Sequence, residues 1–146
     1  MLFPTKRALL VKQEVFMKNF AREQEITNIF NEAQENLVDG DFKKLDIATI
    51  LSLVDLSRHA YYGVINSEVL PSKNTLVKVA YAFQLSGEEL TRLMNLNGYI
   101  YPFTYTDHIV LSFFEKGEAD EVLIDEALVS VGEKPIFKKQ RSKRTR

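Results

Sequence analysis

Apolar residues recur at helical spacing along almost the whole chain, and this pattern constrains the fold more than any other feature. The stretch between Pro4 and Gly40 has no glycine or proline, so one long helix or two consecutive helices fit it. Further helical patterns cover residues 46–53, 57–66, 72–83, 86–96, 106–117 and 122–132. No stretch of four or more residues alternates with the two-residue period of a strand. The sequence therefore predicts an all-α protein of about seven short helices.

Capping and turn residues indicate where several of these helices begin and end. Ser86 with Glu89 predicts a capping box, and Gly98 suits the left-handed position after the same helix. Either Ser72 or Asn74 can cap the preceding helix. Three further boundaries are predicted: a cap at Thr5, a turn at Asp39-Gly40 and a helix start at Thr106-Asp107. The last helix is acidic and runs through Val122, Leu123, Ala127, Leu128 and Val131 to Gly132.

The composition is that of a globular protein without a recognisable catalytic centre. Hydrophobic residues make up 45% of the chain and charged residues 27%. Zero cysteines exclude a disulfide framework and thiolate metal sites, and favour a cytoplasmic protein. His59 and His108 lack metal-ligand spacing, and the six glycines stand singly rather than in a phosphate-binding loop. There is neither a signal-peptide core nor an apolar run of about 18 residues, so we expect no enzyme, no cofactor, no metal and no membrane partner.

Charge is segregated along the chain, although the net charge is only −1. Residues 1–22 carry five basic residues and one acidic residue, and residues 23–137 carry eight basic and nineteen acidic ones. We divide the chain into an N-terminal helical extension (1–21), a main domain (22–137) and a disordered basic tail (138–146). The tail is either a nucleic-acid arm or an inert basic terminus. Its basic residues are Lys138, Lys139, Arg141, Lys143, Arg144 and Arg146.

The segment 46–96 is the most informative, because its short helices are joined by turns too tight for a simple up-and-down bundle. Only Asp55 and Leu56 separate the helix that ends near Val54 from the helix that Ser57 can cap. Two short helices joined by three or four residues form a helix-turn-helix, in which the first helix braces the second against a surface.

The residues that follow carry a resemblance to a known family. They read Leu56-Ser57-Arg58-His59-Ala60-Tyr61-Tyr62-Gly63-Val64-Ile65-Asn66-Ser67, then Pro71-Ser72, then Phe83-Gln84-Leu85-Ser86 with Glu89-Leu90. This spacing resembles the lambda-repressor-like (XRE-type) helix-turn-helix family. The match continues through Asn97-Gly98-Tyr99 in the manner of Gram-positive members with extra C-terminal helices, and it covers about residues 22–131. The fold that it implies is a helix-turn-helix bundle with N-terminal and C-terminal extensions.

The resemblance implies a transcriptional regulator, a repressor that binds double-stranded DNA as a homodimer. The helix that begins at Ser57 would lie in the major groove, and Ser57 would cap it and offer its hydroxyl or amide to a phosphate. Arg58 and His59 would face bases or backbone, and Tyr62 would lie on the exposed side. Lys73 flanks this helix as a further DNA contact. Two copies would pair through N-terminal or C-terminal helices outside the helix-turn-helix.

The alternative is a protein-interaction module on the same fold, antitoxin-like or regulator-binding, without DNA readout. Asp55 and Ser67 stand where the family usually places glycine, and Gly63 stands where members often place a base-reading side chain. Arg58 is the only basic residue between Asp46 and the start of the fourth helix, which is a poor phosphate surface. Acidic side chains beside Arg58 would favour this alternative, whereas lysines flanking the helix would favour DNA.

The aromatic run Tyr99-Ile100-Tyr101-Pro102-Phe103-Thr104-Tyr105 precedes the sixth helical pattern. It can be a partner-binding patch or an irregular connector that seals the core.

Overall fold

The computed structural model describes residues 6–41, 43–66 and 70–138, with side chains from residue 20 onward. The described part of the chain forms seven α-helices: α1 (Lys6–Glu35), α2 (Ile47–Ser52), α3 (Arg58–Asn66), α4 (Lys73–Ala82), α5 (Gly87–Leu96), α6 (Tyr105–Glu115) and α7 (Glu121–Ser130). The β pairing in this part is an isolated bridge between Val38 and Lys44. The predicted all-α class is therefore confirmed. The cap predicted at Thr5 lies outside the described residues.

α1 is one continuous helix of 30 residues, which decides between the two arrangements that the sequence left open. It ends at Glu35, before the predicted turn, because the backbone tightens there and Leu37 N donates to the oxygen three residues earlier. Asp39 shapes the turn itself, since its carboxylate accepts the N–H groups of Asp41 and Lys43 at 2.8 and 2.9 Å. α1 runs across the predicted boundary between the N-terminal extension and the main domain.

α4 and α5 each start after a side-chain cap at the position that the sequence predicts. Ser72, rather than Asn74, caps α4, because its hydroxyl oxygen accepts the Thr75 N–H at 3.1 Å. The predicted capping box at α5 is confirmed: Ser86 Oγ accepts the Glu89 N–H at 3.1 Å and the Glu89 carboxylate accepts the Ser86 N–H at 2.9 Å. These bonds satisfy backbone donors that the first helical turn leaves without a partner.

The predicted start of α6 is one residue too late. The helix begins at Tyr105 with Thr104 as its cap, rather than at Thr106 and Asp107. The physical reason is a second capping box, in which the Thr104 hydroxyl accepts the Asp107 N–H and the Asp107 carboxylate accepts the Thr104 N–H, both at 3.1 Å. Asp107 therefore closes the first turn instead of beginning it.

α5 and α6 approach each other closely at Gly87. A Cβ atom at this position would lie 2.5 Å from Glu115 Cγ and 3.0 Å from Glu115 Cα. The contact therefore requires glycine at position 87. The sequence alone does not reveal this role, because it shows only that Gly87 follows the capping Ser86. The other end of α5 follows the prediction, because Gly98 lies just beyond it with a φ of 87°.

Three aromatic rings connect α1, α3 and the end of α4. Phe30 lies with its ring centroid 5.4 Å from that of Tyr61 and 4.9 Å from that of Phe83, and Tyr61 stacks on Phe83 at 5.4 Å. All three side chains are buried. Because Tyr61 belongs to α3, this cluster fixes which face of α3 turns inward and which turns to solvent.

α7 contributes fewer residues to the core than its apolar content indicates. Ile124 and Leu128 are buried, whereas Val122 and Leu123 are exposed. Residues four apart lie on the same side of a helix, so only one narrow face of α7 packs inward. The helix ends at Ser130, two residues before the predicted Gly132.

Candidate nucleic-acid interface

The turn between α2 and α3 has the geometry that a tight connection needs. Asp55 has a φ of 56°, in the left-handed region where glycine is most at ease and aspartate is tolerated. Leu56 N donates to Leu51 O at 3.3 Å, which closes the end of α2. Asp55 thus takes a conformation that glycine usually supplies in tight turns.

Ser57 caps α3. Its hydroxyl oxygen accepts the Ala60 N–H at 3.1 Å, and its backbone oxygen accepts the Tyr61 N–H at 3.2 Å. The hydroxyl proton is not used by this bond, so Ser57 can still donate to an anion while it caps the helix. The cap is seen in the fold, and the contact with phosphate stays a prediction.

α3 has one buried face and one open face. Tyr61 and Val64 point into the core, whereas four polar or aromatic side chains are exposed. These four residues, the open face of α3, are Arg58, His59, Tyr62 and Asn66. A groove of about 390 Å³ is lined by three of them, His59, Tyr62 and Asn66, and is completed by Pro71 and Thr75 at the start of α4. The structure therefore brings together the predicted Arg58, His59 and Tyr62, with Ser57 at the head of the same helix.

Gly63 lies in the floor of this groove. No atom lies within 4 Å of a Cβ atom built on it, so the position is open space rather than a close helix contact. The missing side chain widens the groove between His59, Tyr62 and Asn66. The structure therefore shows open space beside Gly63 that a side chain could occupy.

Asn66 is the member of the open face to which sequence reasoning gave no role. Its amide can both donate and accept hydrogen bonds, as adenine recognition requires. Helical spacing could have identified it, because Asn66 lies one turn beyond Tyr62 and about two turns beyond Arg58 on the same helix.

Arg58 is the cation of the open face, and an acidic residue lies near it. The pKa of Asp46, which caps α2, lies below its ordinary value, mainly because Thr49 donates hydrogen bonds to the carboxylate and in smaller part because of the Arg58 charge. Asp46 and Arg58 are both exposed. Arg58 is therefore the one formal positive charge among the four residues of the open face, and the Asp46 carboxylate lies close enough to feel it.

Lys73 belongs to a different cluster from the other predicted contacts. Its Nζ lies 3.0 Å from Asp107 Oδ2 and 5.5 Å from the centroid of the Tyr99 ring. Phe103 N and Thr104 N donate to the same Asp107 oxygen. Burial raises the pKa of Asp107, but these three donors outweigh burial and hold it below its ordinary value. The Lys73 charge is therefore engaged within the protein.

The root of the basic tail is fixed on α7. Asp125 accepts the backbone N–H groups of Ile136, Phe137 and Lys138 at 2.7, 3.1 and 2.7 Å. The Phe137 ring also packs on that of Tyr81, with centroids 5.1 Å apart. The Lys138 side chain is exposed, and the remaining tail, from Lys139 to Arg146, lies outside the described residues.

No helix within the described ranges is long and apolar enough to cross a membrane, and the His, Asp and Glu side chains there form no group of three that could hold a metal ion. In comparisons with protein-family models, curated proteins and solved structures, this chain matches none of them.

Proposed function

We propose that this protein is a sequence-specific DNA-binding transcriptional regulator of the helix-turn-helix type, a repressor that reads the major groove with α3. The observation that carries the proposal is the open face of α3. One exposed side of this short helix presents hydrogen-bonding groups of four kinds: a guanidinium, an imidazole, a phenol and an amide. The opposite side of α3 is buried in the core.

The connection to α2 supports the same reading. The left-handed Asp55 allows the tight turn between α2 and α3, and Ser57 caps α3 at an exposed helix start, where a phosphate can bind backbone N–H groups. Phosphate contacts of this kind position the helix, and the side chains of the open face then meet base edges. The basic tail adds phosphate contacts from its root at Lys138.

A pair of chains completes the proposal, since one short helix reads too few bases for useful specificity. Two copies would read half-sites about one DNA turn apart. The regulator needs no cofactor or metal for this task, and we propose no enzymatic activity.

The test begins with selection of bound duplexes from a random library by the full-length protein, followed by titration of the enriched duplex. The double variant Arg58→Ala, His59→Ala should bind that duplex more weakly by roughly 1–3 kcal/mol, because it loses base contacts. The matched control, Lys116→Ala with Lys134→Ala, removes two exposed cations outside α3 and should leave sequence preference unchanged. If the α3 variant bound like the wild type, α3 would not be the reading helix.

The second candidate function is a protein-interaction module on the same fold. The low positive charge of the open face favours it, because Arg58 is its one formal cation and Asp107 engages the neighbouring Lys73. Such a module would enrich no sequence in the selection. Its binding to bulk DNA would also be unaffected by the Arg58→Ala, His59→Ala change.

A further inference from the structure

A groove of about 430 Å³ lies beside α7, where the described part of the chain ends. Its lining, which we call the α7 groove, combines carboxylates with apolar side chains: Glu121, Val122, Asp125, Glu126, Phe137 and Lys138. Asp125 is already engaged, because it accepts the backbone N–H groups of residues 136–138. Glu126 is exposed and Glu121 is half-buried, and neither carboxylate forms a hydrogen bond or an ion pair with a described residue.

The chain around this groove is acidic and carries no counter-charge of its own. Residues 117–133 contain six acidic residues and no basic residue. The ion pairs found among the described side chains lie on other helices and join Lys73 to Asp107 and Arg92 to Glu25. Carboxylates of one sign that line a cleft raise the negative potential inside it and attract cations. A segment with several positive charges is therefore the occupant that this groove favours.

The apolar part of the lining favours lysine and arginine side chains over a small cation. Val122 is 59% exposed, and the Phe137 ring is half-buried against Tyr81. Lysine and arginine lay their methylene stems along apolar surface while the charged head stays in water or meets a carboxylate. A small cation would leave these apolar side chains uncovered.

The basic tail, residues 138–146, has this composition and begins in the groove. It holds six basic residues and no acidic one. The Lys138 N–H donates to Asp125 at 2.7 Å, so the chain continues from within the lining. The eight residues beyond Lys138 span at most roughly 26–29 Å when extended, whereas the ten residues of α7 are about 15 Å long. The tail is therefore long enough to reach any carboxylate of α7.

We infer that the basic tail of the free protein binds in the α7 groove of its own chain. The tether favours this occupant over a separate basic protein, because a segment joined to its site has an effective concentration on the order of millimolar. Exposed ion pairs are individually weak, so the contact depends on several pairings at once and is sensitive to salt. The tail charges are then partly neutralised within the chain until a stronger polyanion displaces them. The inference concerns the free protein and does not depend on DNA binding.

The test uses a spin label on the full-length chain. Because the chain has no cysteine, Thr145→Cys gives a unique attachment point in the tail. Paramagnetic broadening of the α7 amide signals in NMR spectra should fall at least about twofold when salt rises from about 20 to about 500 mM. The double variant Glu121→Gln, Glu126→Gln should show the same loss at low salt. The matched control, Glu32→Gln with Glu35→Gln, removes two exposed carboxylates of α1 and should keep the broadening.

Circular dichroism of both double variants should match that of the wild type, because glutamine keeps the size of glutamate. The inference is overturned if salt leaves the broadening of the wild type unchanged, since a tail that only diffuses around its root gives that result. It is also overturned if the α7 variant keeps the broadening, or if the α1 control loses it equally. A mixture of spin-labelled chain with isotope-labelled chain that carries no spin label separates the copies. Salt-sensitive broadening of α7 in the isotope-labelled chain would place the tail on a second copy and overturn the inference.

Discussion

The two connections on either side of the α3–α5 region are built in different ways. The α2–α3 turn is short and exposed, and depends on one left-handed residue, Asp55, and one cap, Ser57. The α5–α6 loop is longer and is organised around the buried carboxylate of Asp107, which accepts bonds from Lys73, Phe103 and Thr104. The first connection leaves its charged neighbour Arg58 open to solvent, whereas the second uses its charges internally.

This difference shows that formal charge along a chain does not tell which charges are available to a partner. Lys73 and Arg58 are equal in a count of basic residues, but Lys73 neutralises a buried carboxylate while Arg58 is exposed. A surface for DNA has to be judged from cations that the fold leaves unused. The α2–α3 side therefore carries the proposed DNA interface, whereas the α5–α6 side pairs its charges within the protein.

The largest expected effect comes from removing the carboxylate that organises the α5–α6 loop. Asp107→Ala should lower the free energy of unfolding by about 3 kcal/mol, because Lys73 and two backbone N–H groups lose a buried acceptor. Asp46→Ala, the matched change at the cap of α2, should cost clearly less, because this cap is exposed to solvent. Urea denaturation measures both. Equal losses in the free energy of unfolding would contradict the difference between the α2–α3 turn and the α5–α6 loop.

Two glycines extend the comparison to the helices themselves. Gly87→Ala should lower the free energy of unfolding by about 2 kcal/mol, since the new methyl group meets the Glu115 backbone. Gly63→Ala should raise it by up to about 1 kcal/mol, because the position is open and alanine favours a helix. The same urea experiment gives both values. A stable Gly87→Ala variant would contradict the close contact between α5 and α6.

Removing the two cations should separate stability from binding. Lys73→Ala should lower the free energy of unfolding by about 1.5 kcal/mol, because it removes a charge-assisted hydrogen bond to a buried carboxylate. Arg58→Ala should change it by less than about 0.5 kcal/mol, since the side chain is exposed. Titration with the selected duplex should show the larger loss of DNA affinity for Arg58→Ala and the smaller loss for Lys73→Ala. If Lys73→Ala lost more DNA affinity than Arg58→Ala, the DNA interface would lie nearer to α4 than we propose.

The Asp107 carboxylate and its hydrogen-bond donors should also make the free energy of unfolding depend on pH, although this effect is smaller. The folded-state pKa of Asp107 lies below its ordinary value of 3.8, so its contribution is complete above 3.8 and is lost as the pH falls through the folded-state value. Asp46 has the same sign. Asp107→Asn should flatten the acid limb of the stability curve more than Asp46→Asn does, as followed by urea denaturation between pH 2 and pH 5. Identical acid limbs in the wild type and in Asp107→Asn would show that this carboxylate is not the titrating group.

Local sequence determined much of the secondary structure of this protein. Caps at Ser72 and Ser86 act within one helical turn, so the residues that make the bond are neighbours in the chain and can be identified without a fold. The all-α class follows for the same reason, because helical periodicity is a short-range property. The pattern around Ser57 likewise predicted which helix would be capped after the tight turn.

Only the tertiary structure decided which side chains are used and which remain available. Ile100 and Tyr101 are neighbouring apolar residues, but the fold buries Tyr101 in the core and leaves Ile100 exposed. The pairing of Lys73 with Asp107 joins residues 34 positions apart, and the close contact at Gly87 depends on a residue of the next helix. Periodicity and capping act over three or four residues, whereas burial and charge pairing depend on elements that folding brings together.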